Sequence, residues 1–139
     1  MAKLKQIAIS TQDPDAVANF YKTVFKLKEI GRVDNDNAKG YYLTDGNINL
    51  AIMRFSSNIL PVEDSNRNNL GIQYIGFQVE DAFETDVLLR SNDCGILDPE
   101  LPDTDNQDDS ENTSLNRGTK YLGPDGVILH VSHGGYVGT

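Results

Sequence analysis

The sequence holds little of what would commit it to several common roles. It has a single cysteine, Cys94, so no disulfide can close within the chain, and a reducing, cytosolic compartment is expected. A lone cysteine with no histidine beside it reads as incidental rather than nucleophilic. Basic residues are scarce: 12 Lys and Arg against 21 Asp and Glu leave a net charge of −9. No basic stripe is present to displace counterions, which argues against nucleic acid and anionic membrane surfaces as partners. No apolar run reaches the roughly 18 residues needed to span a bilayer, and Met1–Gln6 lacks the apolar region of a signal peptide.

What is present is an ordinary apolar share, 38% of 139 residues, enough for one domain with its own core. The chain reads as one unit used twice. Leu4–Ser10 alternates like a strand and leads to Asp13-Pro14, an N-cap followed by a proline suited to a first helical turn. Val17, Phe20, Tyr21 and Val24 recur at helical spacing and predict an apolar helix face ending near Phe25. Strands are predicted at about 28–33, 40–44 and 47–55, the last two joined by the turn signal Asp45-Gly46. The second half repeats the order. Ile72–Val79 reads as a strand, Asp81 caps a helix with Glu84 three residues on, and Phe83, Val87 and Leu88 supply its apolar side. Lys120–Leu122, the turn Pro124-Asp125-Gly126 and Val127–Ser132 then form a hairpin. Asp13 stands seven positions after Gln6, and Asp81 seven after Tyr74, so Ile7-Ala8-Ile9 aligns with Ile75-Gly76-Phe77.

Module one therefore covers about 1–55, a connector 56–69, module two about 70–133 and a tail 134–139. The stretch 98–116 is acidic and contains Pro99 and Pro102, which reads as a solvated loop. A calcium loop beginning at Asp103 would place Asp108 where glycine is required and Ser114 where the bidentate glutamate belongs, so that reading fails.

Strand alternation sorts side chains onto two faces. Ile7 and Ile9, then Leu50 and Ile52, Ile75 and Phe77, and Leu129 and Val131 are expected to pack under the helices. The opposite face then carries Gln6, Ala8 and Ser10; Asn49 and Ala51; Tyr74 and Gly76; His130 and Ser132. Polar groups alternating with small ones on a concave sheet predict a ligand pocket. Arg54, Arg117 and Lys120 near strand ends are candidate anion contacts. His133, three residues beyond His130, is expected on the other face.

Three strings in this order resemble the vicinal-oxygen-chelate superfamily of glyoxalase I, extradiol dioxygenases, methylmalonyl-CoA epimerase and bleomycin-resistance proteins. They are Gln6-Ile-Ala-Ile-Ser-Thr-Gln-Asp-Pro-Asp with Phe20-Tyr21 and Val24-Phe25, then Tyr74-Ile-Gly-Phe-Gln-Val-Glu-Asp, and Gly123-Pro-Asp-Gly-Val-Ile-Leu-His130. The resemblance covers nearly the whole chain. It implies an α+β fold in which two tandem βαβββ modules form a cupped mixed sheet with the helices outside, commonly in a homodimer. It also implies metal-ligand positions at Gln6, Asn49, Tyr74 and His130, although the hairpin at Asn49 is one residue shorter after its Asp-Gly turn than the one at His130. Only His130 is a good ligand for a first-row metal; two amides and a phenol compete poorly with water, so no metal cofactor is assigned there, although a divalent ion stays open.

Two functions follow. One is a small-molecule enzyme with a degenerate metal site, in which His130 and Tyr74 form the acid–base pair while Gln6 and Asn49, with Arg54 and Lys120, bind the ligand. The other is a non-catalytic binding or sequestering protein of bleomycin-resistance type. A third reading is an interaction domain whose glycine-rich tail reaches a partner.

Overall fold

The structure is a computed structural model and describes residues 1–55, 70–97 and 118–138. The connector 56–69, the acidic stretch 98–116 and Arg117 lie outside the described residues. The strands are β1 (Lys3–Ser10), β2 (Lys28–Asp34), β3 (Ala38–Thr44), β4 (Asn49–Phe55), β5 (Gly71–Gln78), β6 (Thr119–Leu122) and β7 (Ile128–Ser132). The helices are α1 (Pro14–Phe25) and α2 (Ala82–Ser91). No helix among the described residues is long and apolar enough to cross a membrane.

Both predicted helix starts are present. The Asp13 carboxylate accepts from the Ala16 amide at 3.1 Å and the Asp81 carboxylate from the Glu84 amide at 2.9 Å, each satisfying a helix-end donor. At the Asp45-Gly46 turn, Gly46 adopts φ 101° and the Asp45 carboxylate accepts from the amides of Asn47 and Ile48.

All seven strands form one mixed sheet in the order β2-β3-β4-β1-β5-β7-β6. The modules join within the chain: β1 pairs antiparallel with β5, Ile7 opposite Ile75, Gln6 opposite Gly76 and Ala8 opposite Tyr74. The last two pairs exchange under the internal alignment, so an approximate two-fold axis passes through Ile7 and Ile75. On either side, β1 lies parallel to β4 and β5 parallel to β7. The symmetry is incomplete at one edge. Module one has four strands, whereas module two has three among the described residues. A short stretch beside β6 holds the place of the fourth: Ile96 bridges Tyr121, and hydrogen bonds of 2.9 Å join Leu97 to Lys120 and Leu122 to Gly95.

The helix faces differ from expectation. Phe20 and Val24 are 51% and 52% exposed, and Phe83, Val87 and Leu88 also face solvent. On α1 the buried stripe comprises Pro14 and Ala18, flanked by Val17 and Tyr21, against Leu43 and Ile52. The small Ala18 side chain lets the helix backbone approach β3 and β4 closely. On α2, Ala82 and Leu89 pack against Val79, Tyr121 and Val131. Between them on the helix, Asp86 accepts a hydrogen bond of 2.6 Å from the buried Tyr121 hydroxyl. That bond fixes which way α2 is rolled and turns Phe83 and Val87 outward. With helices over the flanking strands, Ile7, Ile9 and Ile75 at the sheet centre are only half-buried, less than their alternation predicts.

Burial, followed by the Asp86 hydrogen bond, raises the Tyr121 pKa above the usual phenol range. The Tyr121 hydroxyl, and then Arg90, hold the Asp86 carboxyl below the usual aspartate range. Tyr121→Phe is expected to lower unfolding free energy by about 1–2 kcal/mol in urea titrations at neutral pH. Because the folded pKa of Asp86 is depressed, its contribution is complete above the ordinary aspartate pKa and disappears as pH falls through the folded value. The stability gap between wild type and Asp86→Asn should therefore close on acidification below about pH 4.

Candidate functional site

The concave face, which alternation assigned to polar and small residues, is the more deeply buried one. Ala8, Ala51, Met53, Tyr74 and Ile128 form its core with Tyr42, Val33 and Ala38. Set into this apolar bed, Gln6, Asn49, Tyr74 and His130 are each no more than 3% exposed.

Sheet register brings these four together. Gln6 pairs with Asn49 on β4 and with Gly76 on β5, and Gly76 pairs in turn with His130 on β7. The Gln6 amide nitrogen donates to the Tyr74 hydroxyl at 2.9 Å, and the Tyr74 and His130 rings lie 5.1 Å apart. Gln6 Oε1 is buried without a hydrogen-bond partner among the described residues. Burying an acceptor unpaired costs about 1–3 kcal/mol, so the cup holds an acceptor that a donor on a ligand could satisfy.

Lys120 pairs with His130 across the β6–β7 ladder and lies 5.2 Å over the Tyr74 ring, a cation–π contact at the edge of the group. Arg54 does not join it. Its side chain is exposed, on the same face of β4 as Leu50 and Ile52, and lines a pocket with Asp34, Asn37 and Lys39. His133 is exposed, with its Nδ1 3.3 Å from the Val79 carbonyl oxygen.

Two functional-site neighbours escaped the sequence reading, Tyr136 and Val137. The segment after β7 turns at Gly134-Gly135 and folds across the cup. The Tyr136 hydroxyl lies 2.8 Å from His130 Nδ1 and 3.0 Å from the His130 carbonyl oxygen. Asn49 Nδ2 donates to the Val137 carbonyl oxygen at 2.6 Å. Gly76 makes room for this: a Cβ there would stand 2.7 Å from the Tyr136 hydroxyl oxygen and 3.1 Å from Gln6 Cβ. The aromatic residue behind a glycine pair was the available signal, and glycine-rich composition hid it.

The register also corrects the match at Asn49. Leu50 pairs with Ile7 as Leu129 pairs with Ile75, so the internal two-fold carries His130 onto Ala51. Asn49 stands two residues earlier on the same face and corresponds to Ile128. The symmetric counterpart of the imidazole is thus a methyl group. Among the described residues no three His, Cys, Asp or Glu side chains cluster. One imidazole, two neutral amides and a phenol hydrogen-bonded to one of those amides do not fit a tightly held divalent ion.

Two outcomes are expected. Dialysis against EDTA should leave the melting temperature unchanged, read by circular dichroism. Gly76→Ala should destabilise the protein by about 1–3 kcal/mol, because the added methyl drives the Tyr136 phenol off its partners.

In overall fold the chain is similar to a hypothetical protein from Bacillus halodurans C-125, with 20% identity, TM-score 0.66, and coverage of 94% of this chain and 92% of that one. It is also similar to a methylmalonyl-CoA epimerase in complex with methylmalonyl-CoA and NH4+, with 20% identity, TM-score 0.62 and 98% of each chain covered. The epimerase from Mycobacterium tuberculosis matches at 15% identity and TM-score 0.64, covering 93% of this chain and 85% of that one. No curated protein matches the chain in sequence. The model of the Glyoxalase/Bleomycin resistance protein/Dioxygenase superfamily matches residues 3–129, and the chain belongs to that superfamily.

Proposed function

We propose that the protein is a small-molecule enzyme of this superfamily that performs acid–base chemistry at the cup through His130 and Tyr74, without a resident metal. The observation that carries this reading is the buried Gln6–Tyr74–His130 group with its unsatisfied Gln6 acceptor. In this scheme His130 takes a proton from a substrate carbon or hydroxyl next to a carbonyl, and Tyr74 returns one. Asn49 Nδ2 donates to the carbonyl oxygen where negative charge develops, the role it now plays toward the Val137 carbonyl. Gln6 orients the Tyr74 hydroxyl through its amide nitrogen and offers Oε1 to a donor on the substrate. Lys120, beside Tyr74, favours an anionic substrate. The epimerase neighbours make carbonyl compounds such as acyl thioesters the first substrates to try.

A second reading, a binding protein that leaves its ligand unchanged, is favoured by one specific observation. The buried polar side chains of the described residues include a single imidazole and no carboxylate. In either reading, exposed Phe20, Val24 and Phe25 on α1 are an apolar surface that a homodimer would cover.

The test is proton exchange. Carbonyl compounds with an exchangeable α-hydrogen, acyl-CoA thioesters among them, are incubated with the protein in D2O and deuterium incorporation is followed by NMR. Exchange catalysed by wild type should fall by about 100-fold or more in His130→Gln. Exchange unaffected by that substitution sinks the role of His130. A ligand retained at one per chain and recovered without exchange supports the binding protein instead.

A further inference from the structure

The segment Gly134–Gly138 meets the cup in a way that a frayed tail does not. Tyr136 is only 8% exposed, and its ring lies 5.5 Å from that of His130. Its hydroxyl touches His130 Nδ1, and its neighbour's carbonyl accepts from Asn49. Both bonds therefore go to side chains of the candidate site, and they span its two modules, Asn49 in the first and His130 in the second. Val137 packs onto the core of the cup, against the position where a Gly31 Cβ would stand. The segment enters and leaves through residues with backbone freedom: Gly135 has φ 84° and Gly138 φ 73°.

The segment is held by side chains rather than by the ladder: its hydrogen bonds run through the Tyr136 hydroxyl, Asn49 and Ser132, its apolar contact through Tyr136 and Val137, and it forms no strand pairing with the sheet among the described residues. Gln6 Oε1, on the floor of the same cup, is not satisfied by the segment. The segment thus fills the site incompletely, as a stand-in for something with one more donor.

We infer that Gly134–Gly138 is an internal ligand of the cup, and that the external ligand binds by displacing it. The inference rests on the cup being the functional site. It also specifies ligand chemistry. At His130 the ligand places a hydroxyl group, where the Tyr136 phenol now lies; at Asn49 it places a carbonyl or carboxylate oxygen, where the Val137 carbonyl now lies. For Gln6 it supplies a hydrogen-bond donor that the strap lacks. Hydroxy-carbonyl compounds with an additional N–H or O–H group, aromatic ones included, meet this description. Displacement is a two-state exchange in which strap and ligand compete for the same donors, so apparent affinity is the intrinsic affinity scaled by the fraction of open cups.

The test uses the full chain and a probe that copies the strap's own groups in their covalent spacing, N-acetyl-tyrosyl-valinamide. In a Cys94→Ser background, Gly31→Cys with Val137→Cys creates a reversible lock, since Val137 Cγ1 lies 3.2 Å from the place of a Gly31 Cβ. Calorimetric titration of the reduced and oxidised forms reads the gate. Binding to the reduced protein, and binding weakened by about tenfold or more in the oxidised one, is the expected result. A measurement on wild type stands beside it should the paired variant fail to fold. With saturating probe, amide exchange at 135–138 should accelerate while that of β5 and β7 slows. Equal binding by both redox forms, or unchanged exchange of the segment on binding, overturns the inference. Binding only to Tyr136→Ala, and lost again when His130→Ala is added, also overturns it: the strap is then fixed core, while the cup survives as a ligand site. Absence of binding to all of these proteins overturns the inference and leaves the cup to be judged by the deuterium-exchange test.

Discussion

The antiparallel pairing of β1 with β5 is the constraint from which the remainder of the molecule follows. Two half-domains, each a strand, a helix and further strands, meet at this one ladder and nowhere else in the sheet. Their registry there, Ile7 against Ile75, settles what faces what on both sides. Moving β1 by one residue would exchange its two faces and send Gln6 to the helix side. Both central strands are flanked by parallel partners, β4 and β7, and these bring Asn49 and His130 to the same concave surface.

An internal two-fold offers each functional position twice, and the chain uses the two copies differently. Gln6 occupies one copy of its position and Tyr74 the other, and they are hydrogen-bonded across the axis. The imidazole of the second module has a methyl group, Ala51, as its counterpart in the first. The closing edge of the second module is likewise reduced, with residues 95–97 lying beside β6 where the first module has a complete strand. A nearly symmetric scaffold thus carries a polar group whose two halves differ, and its similarity to the epimerase structures is one of fold.

Local signals were the most legible part of the sequence. Asp13 and Asp81 cap helices because a short carboxylate beside an exposed amide is a local arrangement, and alternation placed Gln6, Asn49, Tyr74 and His130 on one face. Features set by distant partners were not legible. Counting apolar residues at helical spacing put Phe20 and Val24 inward, yet the roll of α1 is decided by how closely Ala18 lets it approach β3 and β4. The roll of α2 is decided by a hydrogen bond between Asp86 and Tyr121, which are 35 positions apart. Likewise, Val137 meets Asn49 over 88 positions, and a Gly-Gly-Tyr-Val stretch carries no local mark of that contact. Alternation did separate the faces, but it misjudged their burial, because the polar face is the one the chain closes over.

Covalent attachment gives the strap a property that no free competitor has. It faces the cup at an effective concentration set by a hinge of a few residues, and diluting the protein does not lower it. If the strap is the internal ligand inferred above, every external molecule competes with it, and one with the right three groups needs only to exceed a threshold that does not change with protein concentration. The same few residues would then filter by affinity, acting on each protein molecule separately.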